Sequence, residues 1–153
     1  MKKNFSKISK NIHTKQELVY LLDDIAQAKK AIYKGEQELL SKKLKNVVGK
    51  KLRRILKEQE EENNLQTRKQ QEEFLNNLKD YLQNIPQIKL TIAFSPSDSF
   101  LKEITQWLEN QVGKEVIINL TIKPDIVGGA IIEYNGHYLN LALKDQIEEL
   151  THE

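Results

Sequence analysis

The 153 residues suit one ordinary domain or two small ones, and 24 Lys+Arg against 22 Asp+Glu leave a formal net charge of +2, a balance that argues against a dedicated nucleic-acid binder. There is no cysteine, so disulfides, Cys-zinc sites, iron–sulfur clusters and thiol nucleophiles are excluded, and a reducing compartment fits. No apolar run approaches the ~20 residues of a membrane span, and the basic stretch Met1–Lys10 lacks the apolar core of a secretory signal, so a soluble or peripheral protein is expected.

Residues 1–13 are expected to be flexible. Thr14-Lys15-Gln16-Glu17 then has the form of a capping box, in which Thr14 accepts from the backbone at Glu17 and Glu17 reaches back. Leu18, Leu21, Leu22, Ile25 and Ile32 follow on one helical face, and Gly35 is a stop. From Glu36 a second helix carries Leu39, Leu40, Leu44, Val47, Val48, Leu52, Ile55 and Leu56, with Gly49 a soft spot that costs about 1 kcal/mol relative to Ala. Gln59 to Glu73 has Leu65 as its lone apolar residue; a segment this polar reads as an exposed spacer or a loop around Asn63-Asn64. Phe74, Leu75, Leu78, Tyr81 and Leu82 restart the stripe. A helical domain over 14–85 follows, either a hairpin or bundle or an extended arm.

The chain changes character near Pro86, which begins the prolines and the isoleucine clusters. Ile88, Leu90, Ile92 and Phe94 alternate as in a half-buried strand. Ser97 caps a helix whose face is Phe100, Leu101, Ile104, Trp107, Leu108 and Val112, with Gly113 at its end. On that face Trp107 reads as core rather than as an exposed anchor. Val116–Ile122 is a second strand. Pro124-Asp125 turns the chain, and Gly129–Tyr134 and a strand from Tyr138 flank Asn135-Gly136, a type I′ hairpin signal. Leu143, Ile147 and Leu150 space a short final helix. The fold class is α+β: helices, then a small β-α-β-β-β-α domain over 86–153.

His13, His137 and His152 lack metal-ligand spacing, Glu60-Glu61-Glu62 and Glu72-Glu73 read as solvated faces, and Gly49-Lys50 lacks the upstream glycine of a phosphate loop. No catalytic, metal or cofactor-binding residue is expected. The cluster Lys42, Lys43, Lys45, Lys50, Lys51, Arg53, Arg54 and Lys57 has no interleaved aromatic, which leaves single-strand stacking unsupported.

Gly113-Lys114-Glu115-Val116 before a strand, then Pro124-Asp125-Ile126-Val127-Gly128-Gly129, Ile131-Ile132, Gly136, Asn140 and Leu143, Ile147 and Leu150, come in the order and spacing of one known family. From about Ile88 to Leu150 the chain resembles the C-terminal domain of the delta subunit of F-type ATP synthases, the oligomycin-sensitivity-conferring protein family, whose Pro-Ser-Leu-Ile-Gly-Gly run corresponds to Pro124–Gly129. Asn140-Leu141-Ala142 stands where the family has Asp-x-Ser, and the N-terminal half lacks the family's Ala-rich opening helix. The resemblance implies a non-catalytic peripheral-stalk subunit. Its partners would be stalk (b-type) helices and catalytic-head subunits, its place the cytoplasmic side of the membrane through the complex, without insertion and without a small-molecule substrate. Pro124, Gly128, Gly129, Gly136 and Asn140 are the expected structural motif. Ile104, Trp107, Leu143, Ile147, Leu44, Val47, Leu52 and Ile55 are the expected partner contacts. The alternative is an RNA- or ribosome-associated protein that uses the basic helix 42–57.

Overall fold

Leu and Ile at steps of three and four, with few breakers among them, fold the first part of the chain into helices α1 (Lys2–Ser9), α2 (Lys15–Ile32), α3 (Leu40–Lys43), α4 (Lys50–Glu61) and α5 (Arg68–Gln83). They are seen in a computed structural model that describes the backbone of residues 2–140 and the side chains of residues 5–140. The chain divides into two compact units, one formed by the residues up to Asn11 with Glu17–Asn84, the other by Ile12–Gln16 with the residues from Ile85 onward.

The helical unit is a closed bundle with its own core, not an extended arm. Leu21, Ile25, Ala28 and Ile32 of α2, Leu40 and Leu44, Leu52 and Leu56 of α4, and Leu75, Leu78 and Leu82 of α5 are all buried. Each such Leu or Ile contributes roughly 1.5–3 kcal/mol against an exposed one, which offsets the backbone entropy of ordering the turns. The first residues join this core rather than fraying. Phe5 and Ile8 of α1 are buried, and the Phe5 ring lies 5.8 Å from Phe74 and 5.4 Å from Tyr81 of α5. An apolar pair four residues or fewer apart is too short a pattern to identify a helix by itself, so tertiary packing decides this element.

The helix expected from Glu36 is interrupted. α3 is a single turn, residues 44–48 turn the chain, and Gly49 is the N-cap of α4 rather than a weak interior position. The polar stretch 59–73 also departs from expectation. α4 runs to Glu61, Asn63 turns the chain at φ 59°, and a capping box of Thr67 and Gln70 opens α5. Gln71 is buried because its amide donates to the carbonyls of Glu38 (3.2 Å) and Leu65 (3.3 Å). Buried polar groups are tolerated when paired in this way.

The second unit is built on a four-stranded sheet of order β2-β1-β3-β4, with β1 at Gln87–Ile92, β2 at Ile117–Ile122, β3 at Ala130–Tyr134 and β4 at His137–Asn140. β1 and β2 are parallel, joined through α6 (Asp98–Val112), while β3 pairs antiparallel with both β1 and β4. The described part of the β-α-β-β-β-α order is therefore present; the expected final helix lies outside the described residues. Ser97 accepts from the Phe100 backbone and Gly113 ends α6 in the left-handed conformation. Ile88, Leu90 and Ile92 of β1, Val116 and Ile118, and Leu108 of α6 form the core, with Phe100, Ile104, Val112, Leu120 and Ile132 packed against it. Residues 12–16 belong to this unit: the Ile118 backbone N–H donates to the His13 carbonyl at 2.8 Å, and Thr14 pairs with Ile118 in parallel as α2 is about to begin.

Candidate functional site

α6 has more apolar residues than its sheet can cover. Thr105 and Leu108 face the core, whereas Phe100, Ile104 and Trp107, at i, i+4 and i+7, share the margin of the helix. Trp107 is 46% exposed, so the side chain expected in the core stands at its rim. The turn after β1 adds Phe94, 53% exposed, whose ring meets Phe100 edge-on at 5.9 Å and 63°. Continued alternation from Ile88, Leu90 and Ile92 would turn Phe94 inward, but β1 ends at Ile92 and Ser95-Pro96 breaks the pattern. Phe94, Phe100, Ile104 and Trp107 make an apolar strip along α6, a surface suited to an apolar partner.

The Pro124–Gly129 run lies where β2 hands over to β3. Pro124 starts a single 3₁₀ turn, Pro124–Ile126, in which Ile126 is the buried anchor. The Gly128 backbone N–H donates to the Ile126 carbonyl at 2.8 Å across Val127, which has φ 68° and ψ −39°. This is a γ-turn of the rare strained hand, centred on a β-branched residue that is 63% exposed. Gly129 follows at φ 77°, a conformation that costs glycine nothing. The two glycines thus differ in use. Gly128 closes the turn, and Gly129 supplies the left-handed backbone that enters β3. Asn135 and Gly136, at φ 49° and 76°, form the expected tight turn, and Asn140 ends β4 opposite Ile131.

The expected partner contacts separate. Leu44, Leu52 and Ile55 are buried within the helical unit and serve its own core, because α3 and α4 fold against each other and close the seam that an arm would have left open. Val47, in the turn between them, is exposed. Ile104 and Trp107 lie side by side on α6. Leu143 and Ile147 lie outside the described residues.

The surface positions of Phe94, Phe100 and Val127 emerge only in the folded chain. A Phe immediately before Ser-Pro was the available signal for the first; for a β-branched residue at positive φ no local signal exists.

The chain thus holds a helical bundle and a small mixed sheet, with Phe94 and Trp107 exposed beside the sheet's helix. The sequence profile of the ATP synthase delta (OSCP) subunit family matches residues 1–153, and the chain belongs to that family. Curated relatives include the ATP synthase subunit delta of Thermosipho africanus, 29% identical over 66 residues, which are 43% of this chain and 36% of that protein. Another is that of Solidesulfovibrio magneticus, 29% identical over 73 residues, 48% of this chain and 40% of that protein. The matched stretches thus span well under half the length of these relatives. Among solved structures, a chain of the Toxoplasma gondii mitochondrial ATP synthase hexamer is 12% identical, with 98% of this chain and 94% of that chain covered, at a TM-score of 0.38. A chain of the Polytomella F-ATP synthase is 18% identical, with 45% and 89% covered, at 0.39. Scores of this size carry no structural conclusion, and the assignment rests on the sequence profile.

Proposed function

We propose that this chain is a peripheral-stalk subunit of a proton-translocating F-type ATP synthase. It links the stalk helices to the catalytic head and performs no catalysis of its own. The observation that carries the reading is the family match along the whole chain. The apolar strip of Phe94, Phe100, Ile104 and Trp107 supports it, since a stator needs surfaces that grip helices rather than reactive groups. An amphipathic stalk helix laid along α6 buries that strip in the helix-in-groove manner.

No described helix is long and apolar enough to cross a membrane. In this reading the protein reaches the cytoplasmic side of the membrane through the complex. Affinity purification of the tagged chain from gently solubilised membranes, with mass spectrometry of what is recovered, tests the proposal. Stalk and head subunits are the expected result. Ribosomal proteins or RNA without ATP synthase subunits would overturn it in favour of the nucleic-acid alternative.

A further inference from the structure

β2 lies at an edge of the sheet, and its residues Ile117-Ile118-Asn119-Leu120-Thr121-Ile122 hold no charge, no proline and no glycine, in a chain that is 30% charged. The charged side chains of the described strands sit on the inner ones instead. Lys89 on β1 pairs with Glu133 on β3 at 3.5 Å. Edge strands are commonly kept from pairing with other chains by a charge or a proline of their own. An uncharged, β-branched run of this length with neither has the composition of a self-pairing segment.

The protection of β2 comes from elsewhere in the chain. The Ile117 N–H donates to the Pro86 carbonyl and the Lys123 N–H to the Ile92 carbonyl, both at 2.8 Å. Ile117, Asn119, Thr121 and Lys123 therefore aim their peptide groups at β1, while Ile118, Leu120 and Ile122 aim theirs at the open edge. There the Ile118 N–H donates to the His13 carbonyl at 2.8 Å, and Thr14 bridges to Ile118 in parallel. α2 begins at Lys15, so the covering segment leaves the edge at once. Ile12, 2% exposed, anchors that segment, and Pro124 closes the far end of the strand. Among the described residues no strand covers Leu120 or Ile122, and Ile122 is 44% exposed.

We propose that residues 12–16 are a detachable guard on the β2 edge, and that β2 pairs antiparallel with β2 of a second copy of this chain once the guard is off. With the guard in place, Leu120 and Ile122 alone offer peptide groups, too short a ladder to hold two chains together. With it gone, Ile118 joins them. A two-fold axis at Leu120 then sets Ile118 of one copy against Ile122 of the other, in one continuous sheet. A second copy is the fitting occupant because this pairing is self-complementary and no charge on either strand opposes it. The inference goes beyond the stator reading and does not depend on it.

Sedimentation velocity of the full chain over a concentration series tests the proposal. The wild type should stay monomeric. Ile12→Asp removes the anchor and should produce dimers that dissociate on dilution, with amide exchange at Leu120 and Ile122 slowed by about tenfold or more in the associated state. Ile122→Lys added to Ile12→Asp should restore the monomer, because a charge then faces Ile118 of the other copy. By itself Ile122→Lys, at an exposed position, should melt close to the wild type. Ile12→Ala truncates the anchor without burying a charge and decides the matter if Ile12→Asp does not fold. Ile12 variants that stay monomeric overturn the inference. Association that Ile122→Lys does not reverse also overturns it, since the contact then lies outside β2, and so does a wild type that associates as strongly as Ile12→Ala.

Discussion

The backbone N–H of Gly49 donates to the Asp24 carboxylate at 2.9 Å, so the N-cap of α4 is supplied by a side chain of α2. No residue at the start of α4 caps it locally, and Lys50 and Lys51 raise the positive charge there. One carboxylate thus satisfies an orphan donor, complements the dipole and fixes two helices to each other. Asp24→Ala should destabilise the chain by about 0.5–2 kcal/mol, read by chemical denaturation. A Cβ on Gly49 would stand 2.8 Å from Asp24 Oδ2, so Gly49→Ala should displace the carboxylate and cost a similar amount. The two changes together should cost less than their sum, because they break the same contact.

Gln71 holds α5 to the segment before α3 and to the loop before α5 through its amide group. Gln71→Leu keeps the volume but leaves the Glu38 and Leu65 carbonyls without that donor. The expected loss is about 1–3 kcal/mol in equilibrium unfolding. A neutral result would mean that water replaces the amide.

Tyr33 donates its hydroxyl proton to Glu72 in a short hydrogen bond. That bond, followed by desolvation and the Glu72 charge, raises the phenol above its ordinary value of 10.0, while nearby Arg68 lowers it. The protonated phenol is the favoured form in the folded protein. Its contribution to stability is therefore fully present below the unfolded tyrosine value and is lost as pH rises through the higher folded value. Absorbance titration should show one tyrosine ionising late, and Tyr33→Phe should remove that late step.

Leu52 and Trp107 should behave oppositely. Leu52 is fully buried, so Leu52→Ala should cost about 2–5 kcal/mol. Trp107→Ala on the rim of α6 should change stability far less but weaken binding of the stalk helix. Trp107 is the single tryptophan, so its emission reports its own surroundings. A blue shift on adding stalk subunits, absent with the Phe94→Ser variant, is the expected observation.

Val127 and Gly129 both have positive φ, at 68° and 77°. Val127→Gly should relieve strain and stabilise the chain by about 1 kcal/mol, net of the extra freedom glycine gains on unfolding. Gly129→Val imposes the same strain on a second β-branched residue and should destabilise by about 1–2 kcal/mol and weaken stalk binding. Thermal melts of the two variants, shifted in opposite directions, check both.

Much of the α/β unit is written locally. Ile88, Leu90 and Ile92 alternate, Ser97 and Gly113 bound α6, and Asn135-Gly136 selects the tight turn, so near neighbours in sequence decide each feature. The family was legible for the same reason, since the Pro124–Gly129 run and the residues around it keep their spacing within one short stretch. The Thr67 and Gln70 capping box was equally legible in principle, from its Thr-x-x-Gln spacing.

The α+β class, the succession of the described strands along the chain and the turn chemistry follow from periodicity and backbone preference over a few residues, so they are legible without the fold. It took long-range packing to dock α1 through Phe5, to make Gly49 the N-cap of α4 rather than a position inside a continuous helix, and to set Leu44, Leu52 and Ile55 in the core with Trp107 at the rim. Such packing also placed residues 12–16 with the sheet. Helical periodicity names the residues of an apolar face but not what covers it. Here the covering groups, Phe74 and Tyr81 for Phe5, Asp24 for Gly49 and the His13 carbonyl for Ile118, come from distant parts of the chain, and their contacts exist only once the chain has closed on itself.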